Sequence, residues 1–410
     1  MRRCYLQLHY LSYAGLFVLF AIAPIKVDLI EISFTLLFML IILIIYTVFL
    51  RASKLLSTHP IKIQRRTNYF SLALLALSLS IYASYFYTGS LFQGYMNLIL
   101  GVSNYNTYQS HFASSNLSQF SISKIPAILS LLLVKCYFYF SVYCLMINGR
   151  SFKHIFCTFV SLLALVHFSI ARGTSFEIFE VLLFSIFTYF IYYGAHNRRV
   201  PLLLIVKISV LIIGSILIYN YNISLRYAET GRSIPTPGCS TSLCYDNGSF
   251  IAIYFPALAK LLFMLAGYFS FGFVYLGKFH SFVIEYTPEA LFLPIRFIDL
   301  RMYPSFLCNN GSINCGVMWT PSLEKRLLTF SYFGFFVFIF ILGKVSAFVL
   351  RCSCSEHRFT QHMVLYFHFL MIFSLSVGNL FSISSNLIMY TLSLLVIIGR
   401  QQFKIKECTL

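Results

Sequence analysis

The feature that most constrains this chain is a series of apolar runs long enough to cross a membrane, broken by one long charged segment. Of its 410 residues 59% are hydrophobic and 10% are charged, and the mean hydropathy is +0.80. A soluble domain cannot bury that much apolar surface, and a disordered chain has the opposite composition. A membrane-crossing helix needs about 20 apolar residues, and these runs lack the alternation of a membrane β-barrel. The sequence therefore predicts an all-α polytopic integral membrane protein.

We predict about ten transmembrane helices, within a range of ten to twelve. They lie near Tyr10–Ala23, Leu29–Leu50, Tyr69–Thr88, Pro126–Ile147, His154–Ile170, Ser175–Gly194, Pro201–Asn220, Leu327–Leu350, His362–Leu380 and Ile383–Gly399. The first run has no small-residue cleavage site followed by a polar chain, so we expect it to be retained as a span rather than removed as a signal peptide.

The basic residues between the spans predict the orientation. Alternate connections carry 16 basic residues against two acidic ones, in segments 2–3, 51–66, 150–153, 198–199, 351–358 and 400–407. Positive charge of this kind marks the cytoplasmic side, so both termini are predicted to be cytoplasmic. The same distribution explains the net charge of +18. It excludes a nucleic-acid-binding interpretation, because the basic residues form short clusters between spans rather than one continuous patch.

The chain divides into three predicted parts. Residues 1–220 form an N-terminal bundle of seven spans, residues 221–326 form a large outer loop, and residues 327–410 form a bundle of three spans with a cytoplasmic tail. The loop, Tyr221–Arg326, holds 6 of the 12 acidic and 8 of the 30 basic residues. Charges in a multi-span protein cluster where water and substrate are, so we expect the loop to carry the function.

One stretch of this loop, Phe250–Ile284, is apolar enough to resemble a span. A single crossing would place every later basic cluster on the wrong side, so the stretch crosses zero times or twice. Lys260, Lys278 and Pro256 interrupt it. We expect interfacial helices that lie on or dip into the outer leaflet, and two short re-entrant crossings are the alternative.

The loop also holds four cysteines, Cys239, Cys244, Cys308 and Cys315. An even number of cysteines in an oxidising compartment suggests disulfides. The simplest of the three possible connectivities joins Cys239 with Cys244 and Cys308 with Cys315. Four unpaired thiols are the alternative. The spacings do not match common zinc knuckles, so no metal site is predicted.

No nucleotide-binding or hydrolase motif is present in the sequence. Neither a cytoplasmic domain nor an acidic cluster for a metal-bound nucleotide-sugar can be recognised, so we predict no cofactor. A substrate must then come from the outer face or from the bilayer.

Arg172-Gly173-Thr174 stands out because it joins two hydrophobic spans with almost no loop. A guanidinium there is costly without a partner, and it binds phosphate in a bidentate manner. Gly173 permits a tight turn and a close approach of the backbone to a ligand. Glu177 and Glu180 share a face of the next helix. They are predicted to pair with Arg172 or with the mid-span Lys135, or else to bind an acceptor.

Several loop side chains are candidates for chemistry. The loop arginines Arg226, Arg232, Arg296 and Arg301 suit a dianionic diphosphate at the membrane surface, although solvated loop charge is the alternative for each one. The possible general bases are His280, Glu285, Glu289, Asp299 and Glu324, and only geometry can rank them. Trp319, the single tryptophan, could stack on a sugar or anchor the interface.

The chain as a whole resembles Wzy-type O-antigen (polysaccharide repeat-unit) polymerases. The architecture is similar, with many spans, both ends inside and a large periplasmic loop in the C-terminal half. Weak local similarities occur at NYNTYQ (104–109), ARGT (171–174), GYFSFGFVYLGKF (267–279), EALFLPIRFID (289–299) and WTPSLEKRLLTFSYFGFFVF (319–338).

This resemblance implies a glycosyltransferase of the bacterial inner membrane. Its substrates are oligosaccharide repeat units on undecaprenyl diphosphate, and the growing chain moves to a new lipid-linked unit. Its partners are a chain-length regulator and the other O-antigen assembly proteins. The resemblance implies that Arg172, Arg226 and Arg301 first, and Arg232 and Arg296 second, hold the anionic substrate. With the candidates from the residues themselves, the predicted catalytic residues are Arg172, Arg226, Arg301, Glu324 and His280. The predicted substrate-binding residues are Arg232, Arg296, Gly173, Glu177, Tyr268 and Trp319.

Three alternatives stay open. An O-antigen ligase has a similar fold and lipid donor but uses lipid A-core as its acceptor. A lipid-linked oligosaccharide flippase is expected to have short loops, unlike the 106-residue segment here. A membrane acyltransferase needs an intramembrane histidine, for which His167 is the candidate, although a lone histidine on an apolar helix more often belongs to the core.

Overall fold

A computed structural model describes most of the chain. The described residues are 2–26, 29–51, 69–115, 122–148, 151–174, 176–195, 202–229, 244–286, 288–293, 322–351, 358–377 and 384–408. Within these ranges the protein has fifteen α-helices, two short 3₁₀ helices and one two-stranded antiparallel sheet.

The α-helices, in chain order, are α1 (Arg2–Ile22), α2 (Leu29–Arg51), α3 (Tyr69–Thr88), α4 (Gln93–Leu100), α5 (Asn104–Ser114), α6 (Ile125–Asn148), α7 (Phe152–Arg172), α8 (Phe176–Ala195), α9 (Leu202–Glu229), α10 (Phe250–Tyr254), α11 (Pro256–Phe269), α12 (Phe271–Tyr286), α13 (Ser322–Arg351), α14 (Arg358–Val377) and α15 (Ser384–Cys408). The 3₁₀ helices are Ile122–Lys124 and Pro288–Leu291, and the strands are β1 (Ile25–Lys26) and β2 (Cys244–Tyr245).

Each of the ten predicted spans falls on one of the ten long helices. Seven helices of the described part are long and apolar enough to cross a membrane, or up to eight when one bent pair is included. The prediction of an all-α, multi-pass membrane protein is therefore confirmed. Several predicted boundaries differ from the structure. α1 begins at Arg2, eight residues before Tyr10, and α15 continues to Cys408, nine residues past Gly399. α9 continues past Asn220 to Glu229, because neither Gly nor Pro interrupts it, and α13 begins five residues before Leu327.

The most deeply buried helix is α14, which packs against α1, α8, α11, α12, α13 and α15. A helix that is apolar around its whole circumference belongs in the centre of a bundle. The outer helices instead expose one apolar stripe each. On α2 this stripe is Leu37, Leu40, Ile44 and Val48, at intervals of three or four residues. Such a stripe is what a helix presents to lipid chains.

The bundle has two ends, and the connections show which elements share one. We call the end at which α1 begins the amino end, and the end at which α1 finishes the far end. Leu19, near the end of α1, packs in one cluster with Phe179 near the start of α8 and with Tyr219 of α9. β2 pairs with β1 in the α1–α2 connection. The start of the predicted loop and the α7–α8 turn therefore both lie at the far end.

Helices α11 and α12 meet at a bend of 52°, which makes the pair either one bent crossing or a re-entrant loop. Ser270 at the bend donates to Leu16 O at 3.2 Å, and Thr35 donates to Phe273 O at 3.3 Å. Leu16 and Thr35 each lie six residues from the far end of their helix, which corresponds to about 9 Å. The bend is therefore held in the half of the bundle next to the far end.

Helix α13 is not a single continuous helix. Ser331 has φ 63° and ψ 171°, so the chain breaks there and a second helical segment follows. This region of conformational space is strained for any residue with a Cβ. The Ser331 hydroxyl accepts from Gly334 N at 3.2 Å and so caps the second segment. The break lies within the predicted span Leu327–Leu350, at a residue that is neither Gly nor Pro.

Candidate functional site

The candidate site is centred on the tight turn between α7 and α8. Gly173 ends α7 in the left-handed conformation, with φ 60° and ψ 29°. Its N–H donates to Ile170 O, and Thr174 N donates to Ser169 O, each at 3.1 Å. This pattern is the usual glycine C-cap, which satisfies the last carbonyls of a helix. The turn places Arg172, the last residue of α7, directly beside the first turn of α8.

Arg172 is fixed by an ion pair with Glu177. Arg172 Nη1 lies 3.0 Å from Glu177 Oε1, and the Thr174 hydroxyl donates to Glu177 Oε2 at 2.8 Å. Glu177 lies in the first turn of α8, where its carboxylate also suits the positive end of the helix dipole. The Glu177 side chain is only 4% exposed, whereas that of Arg172 is 24% exposed. The guanidinium is therefore held in place and remains accessible.

Aromatic rings enclose the guanidinium of Arg172. Its Cζ lies 4.9 Å from the ring centroid of Tyr108, 5.0 Å from that of Phe168 and 5.9 Å from that of Tyr87. Cation–π contacts of this kind stabilise the charge and restrict the side chain. The Nε atom is buried and has no hydrogen-bond partner among the described residues. The site thus holds a preorganised cation whose partly exposed side chain can meet an anionic group.

Asn104 joins the three helices around this cation. Its side-chain amide donates to Gly94 O at 2.8 Å and to Ile170 O at 2.9 Å. A side chain that satisfies two carbonyls from different helices fixes their relative position. The start of α5, which carries Tyr108 one turn later, is therefore tied to α4 and to the last turn of α7.

We expect Gly173→Ala to destabilise the protein more than Gly101→Ala does. Both glycines have positive φ, and the backbone strain from a Cβ costs about 1 kcal/mol at either position. At Gly173 the Cβ would also lie 2.4 Å from Tyr105 N, whereas at Gly101 nothing lies within 4 Å. The clash adds about 1–3 kcal/mol. Thermal unfolding midpoints in detergent measure this difference, and equal shifts for both variants would contradict the close contact.

Helix α4 forms one wall of the site and has two different faces. On the inner face the Tyr95 hydroxyl lies 2.7 Å from His167 Nδ1. Burial raises the pKa of Tyr95 above its ordinary value, so the phenol is protonated at neutral pH, and the tautomer of His167 decides which of the two atoms donates. On the outer face Phe92, Met96, Ile99 and Leu100 are all more than half exposed. Their spacing forms an apolar stripe that suits the acyl chains of the adjacent leaflet. The site thus lies beside a lipid-facing surface.

The second acidic residue of α8 pairs with α6 and not with Arg172. Lys135 Nζ lies 2.6 Å from Glu180 Oε2, and the Tyr139 hydroxyl donates to Glu180 Oε1 at 2.5 Å. Both charged side chains are about 5% exposed. The predicted ion-pair role of Lys135 is confirmed. The two carboxylates of α8 therefore hold two cations from two different helices.

His280 lies in a different place from Arg172. Its Nδ1 lies 2.5 Å from the Tyr332 hydroxyl, directly after the break at Ser331, and Phe38 of α2 packs against its ring. Its Nε2 is buried and has no partner among the described residues. Glu324 is buried in the first turn of α13, seven residues before the break. His280 therefore lies between α2, α12 and α13.

The structure places the other predicted site residues as follows. Arg226 lies in the last turn of α9 and Tyr268 lies in α11. Cys244 lies in β2 and is disulfide-bonded. Glu285 lies in α12, and Glu289 lies in the 3₁₀ helix Pro288–Leu291. The remaining predicted residues lie outside the described part: Arg232, Arg296, Asp299, Arg301, Trp319, Cys239, Cys308 and Cys315.

Three residues of the site were not identified as binding residues from the sequence: Asn104, Tyr108 and Tyr87. Asn104 and Tyr108 lie within the NYNTYQ segment, whose polar and aromatic residues follow the short apolar helix α4. Polar and aromatic residues in a predicted outer connection were the sequence signal that could have identified Asn104 and Tyr108. Among the described residues no three His, Cys, Asp or Glu side chains converge as metal ligands do.

Comparisons with known proteins identify no relative of this chain. No protein-family model matches the chain, and neither a curated protein nor a solved structure matches it.

Proposed function

We propose that this chain is a polysaccharide polymerase of the bacterial inner membrane. It joins oligosaccharide repeat units carried on undecaprenyl diphosphate by transferring the growing chain to a new lipid-linked unit at the periplasmic face. The proposed reaction is inferred from the resemblance to O-antigen polymerases. The all-α, multi-pass fold is compatible with it.

The observation that carries the proposal is the fixed guanidinium of Arg172 beside a lipid-facing helix. A lipid-linked sugar has a diphosphate at the membrane surface and an apolar chain in the bilayer. Arg172 offers donors to the diphosphate, while the exposed stripe of α4 borders the lipid that holds the chain. Tyr87 and Tyr108, which flank the cation, also present rings of the kind that stack on sugars.

The proposed reaction forms one bond and breaks one. A hydroxyl at the non-reducing end of the new unit attacks the anomeric carbon of the growing chain. The bond from that carbon to the diphosphate oxygen breaks, and a general base takes the hydroxyl proton. Negative charge develops on the leaving diphosphate, so Arg172 and the loop residues Arg226 and Arg301 are proposed to stabilise it. Arg232 and Arg296 are proposed to hold the rest of the anionic substrate.

Two side chains are proposed for proton transfer. His280 has a buried, unpaired Nε2 within the described part, and its Nδ1 is held by Tyr332. A neutral imidazole oriented in this way is suited to accept a proton. Glu324 is the second proposed base, since it is buried at the start of the same helix that carries Tyr332.

The proposed orientation has both termini in the cytoplasm and the far end in the periplasm. The basic connections support it. So does the pairing of β2 with β1, because it puts the start of the loop on the same side as the α1–α2 connection. A disulfide at Cys244 fits an oxidising compartment.

The test is a gel of surface polysaccharide from a strain that lacks the gene, with and without plasmid rescue. We expect the long ladder to collapse to core plus one repeat unit and to return on rescue. Loss of every unit from the core would reject the polymerase in favour of a ligase or a flippase. Lipid-linked polymer accumulating in the periplasm would then select the ligase.

A further inference from the structure

A continuous chain of hydrogen bonds runs through the core of the bundle, away from the Arg172 site. Tyr5 Oη lies 2.8 Å from Tyr46 Oη, and Tyr46 Oη lies 2.8 Å from Ser346 Oγ. Ser346 Oγ lies 2.6 Å from His368 Nδ1, and His368 Nε2 lies 3.0 Å from the hydroxyl of Tyr390. We call these five side chains the relay. They come from α1, α2, α13, α14 and α15.

The relay leads from the amino end into the middle of the membrane. Tyr5 lies three residues from the start of α1, and Tyr46 and Ser346 each lie five residues from the end of their helix. His368 lies ten residues into α14, which corresponds to about 15 Å. Half the thickness of a hydrocarbon core is also about 15 Å.

Two hydroxyls of the relay have a second acceptor. Tyr5 donates to Leu365 O at 3.1 Å, and Ser346 donates to Leu342 O at 2.8 Å. Either hydroxyl can therefore point along the relay or towards a backbone carbonyl. In the contact between Tyr5 and Tyr46 and in that between Tyr46 and Ser346, either oxygen can be the donor. Proton transfer along a chain requires this freedom, since each hydroxyl must turn back after a proton has passed.

His9 adds unused hydrogen-bonding capacity beside the relay. It is 1% exposed, and both ring nitrogens are buried without a partner among the described residues. Its ring centroid lies 4.8 Å from that of Tyr5 and 5.2 Å from that of Tyr46. An unpaired buried donor or acceptor costs about 1–3 kcal/mol. Packing alone would favour an apolar side chain here, so His9 points to a role in proton exchange.

Buried polar residues continue along the same three helices towards the far end. Beyond His368 and Tyr390 they are Ser322 of α13, Ser374 of α14, and Ser385 and Asn386 of α15. Ser322 donates to Ser374 O at 2.6 Å. The amino-end half thus has continuous hydrogen bonds, and the far half has buried polar side chains at the ends of the same helices. Ionisable residues at this depth commonly mark a proton pathway.

We propose that the relay conducts protons across the membrane. A proton reaching the Tyr5 oxygen displaces the Tyr5 proton to Tyr46, the Tyr46 proton to Ser346, and the Ser346 proton to His368 Nδ1. His368 then releases its Nε2 proton to the Tyr390 oxygen, the hydroxyl proton of Tyr390 leaves towards the buried polar residues of the far half, and the hydroxyls turn back. Every group gains one proton and loses one, so no oxidant or reductant is needed. This activity is separate from the proposed polymerase.

The test uses the purified full chain in liposomes that contain pyranine, with a potassium diffusion potential set by valinomycin. We expect the interior to acidify faster than in protein-free liposomes. Tyr46→Phe and Ser346→Ala each remove one hydroxyl from the relay and keep the rest of the side chain. Each is expected to lower the protein-dependent rate at least tenfold.

Tyr13→Phe is the matched control, because it removes a buried phenol hydroxyl that donates to Ile372 O outside the relay. It should keep the wild-type rate. Size-exclusion profiles establish that each variant is folded. A wild-type rate equal to that of empty liposomes overturns the proposal, and so do equal rates for Tyr46→Phe and Tyr13→Phe. Neither result bears on polymer formation, which the polysaccharide gel measures separately.

Discussion

Replacing Arg172 by alanine is expected to abolish long polysaccharide chains while the protein still reaches the membrane. The guanidinium is proposed to stabilise charge that develops on the leaving diphosphate. Loss of one such preorganised donor lowers a rate by about 100-fold to 1,000-fold. The polysaccharide gel of a strain that carries only the variant measures the effect. A normal polysaccharide ladder from this variant would contradict the proposed role of Arg172.

Three further variants separate this role from a structural one. Arg172→Ala leaves Glu177 buried without its cation, so part of any loss could come from instability. The double variant Arg172→Ala with Glu177→Ala removes that charge, and it should restore protein abundance but not polymer. Arg172→Lys keeps the charge but loses the bidentate geometry, so we expect partial activity at most. Lys124→Ala removes another cation that lies over an aromatic ring, at Phe112, and should keep the ladder.

The positions of the long helices could be predicted from the sequence, because apolar runs of about 20 residues have few other stable structures. The ion pairs were partly predictable for a similar reason. Lys135 lies in an otherwise apolar span, so burial obliges it to find an acid, and the nearby α8 carries two. Which acid pairs with which cation depends on how α6, α7 and α8 pack, and local spacing does not determine that.

Two of the three rings around Arg172, Tyr87 and Tyr108, could not be predicted, because they depend on the long-range packing of α3 and α5 against α7. Asn104 and Ile170 are 66 positions apart in the chain, yet their hydrogen bond fixes the wall of the site. The break at Ser331 was unpredictable for another reason. Serine has no strong preference against a helix interior, so only the tertiary contacts around His280 and Tyr332 can stabilise this conformation.

Breaking the buried ion pair between Lys135 and Glu180 is expected to destabilise the protein strongly. Lys135→Met leaves a carboxylate in the membrane interior, and Glu180→Gln leaves an ammonium there. Each loss costs about 3–5 kcal/mol, because an unpaired buried charge keeps its desolvation penalty. Thermal unfolding of the purified protein in detergent measures the shift. Both single variants should also be depleted from the membrane fraction.

The double variant Lys135→Met with Glu180→Gln decides whether charge pairing is the cause. It buries no charge, and the glutamine amide oxygen can still accept from Tyr139. We therefore expect it to recover at least half of the stability that either single variant loses. If the losses simply add, the two side chains act independently and the ion pair does not stabilise α6 against α8. Recovery would instead show that this neutralised pair holds α8, the helix that carries Glu177, against α6.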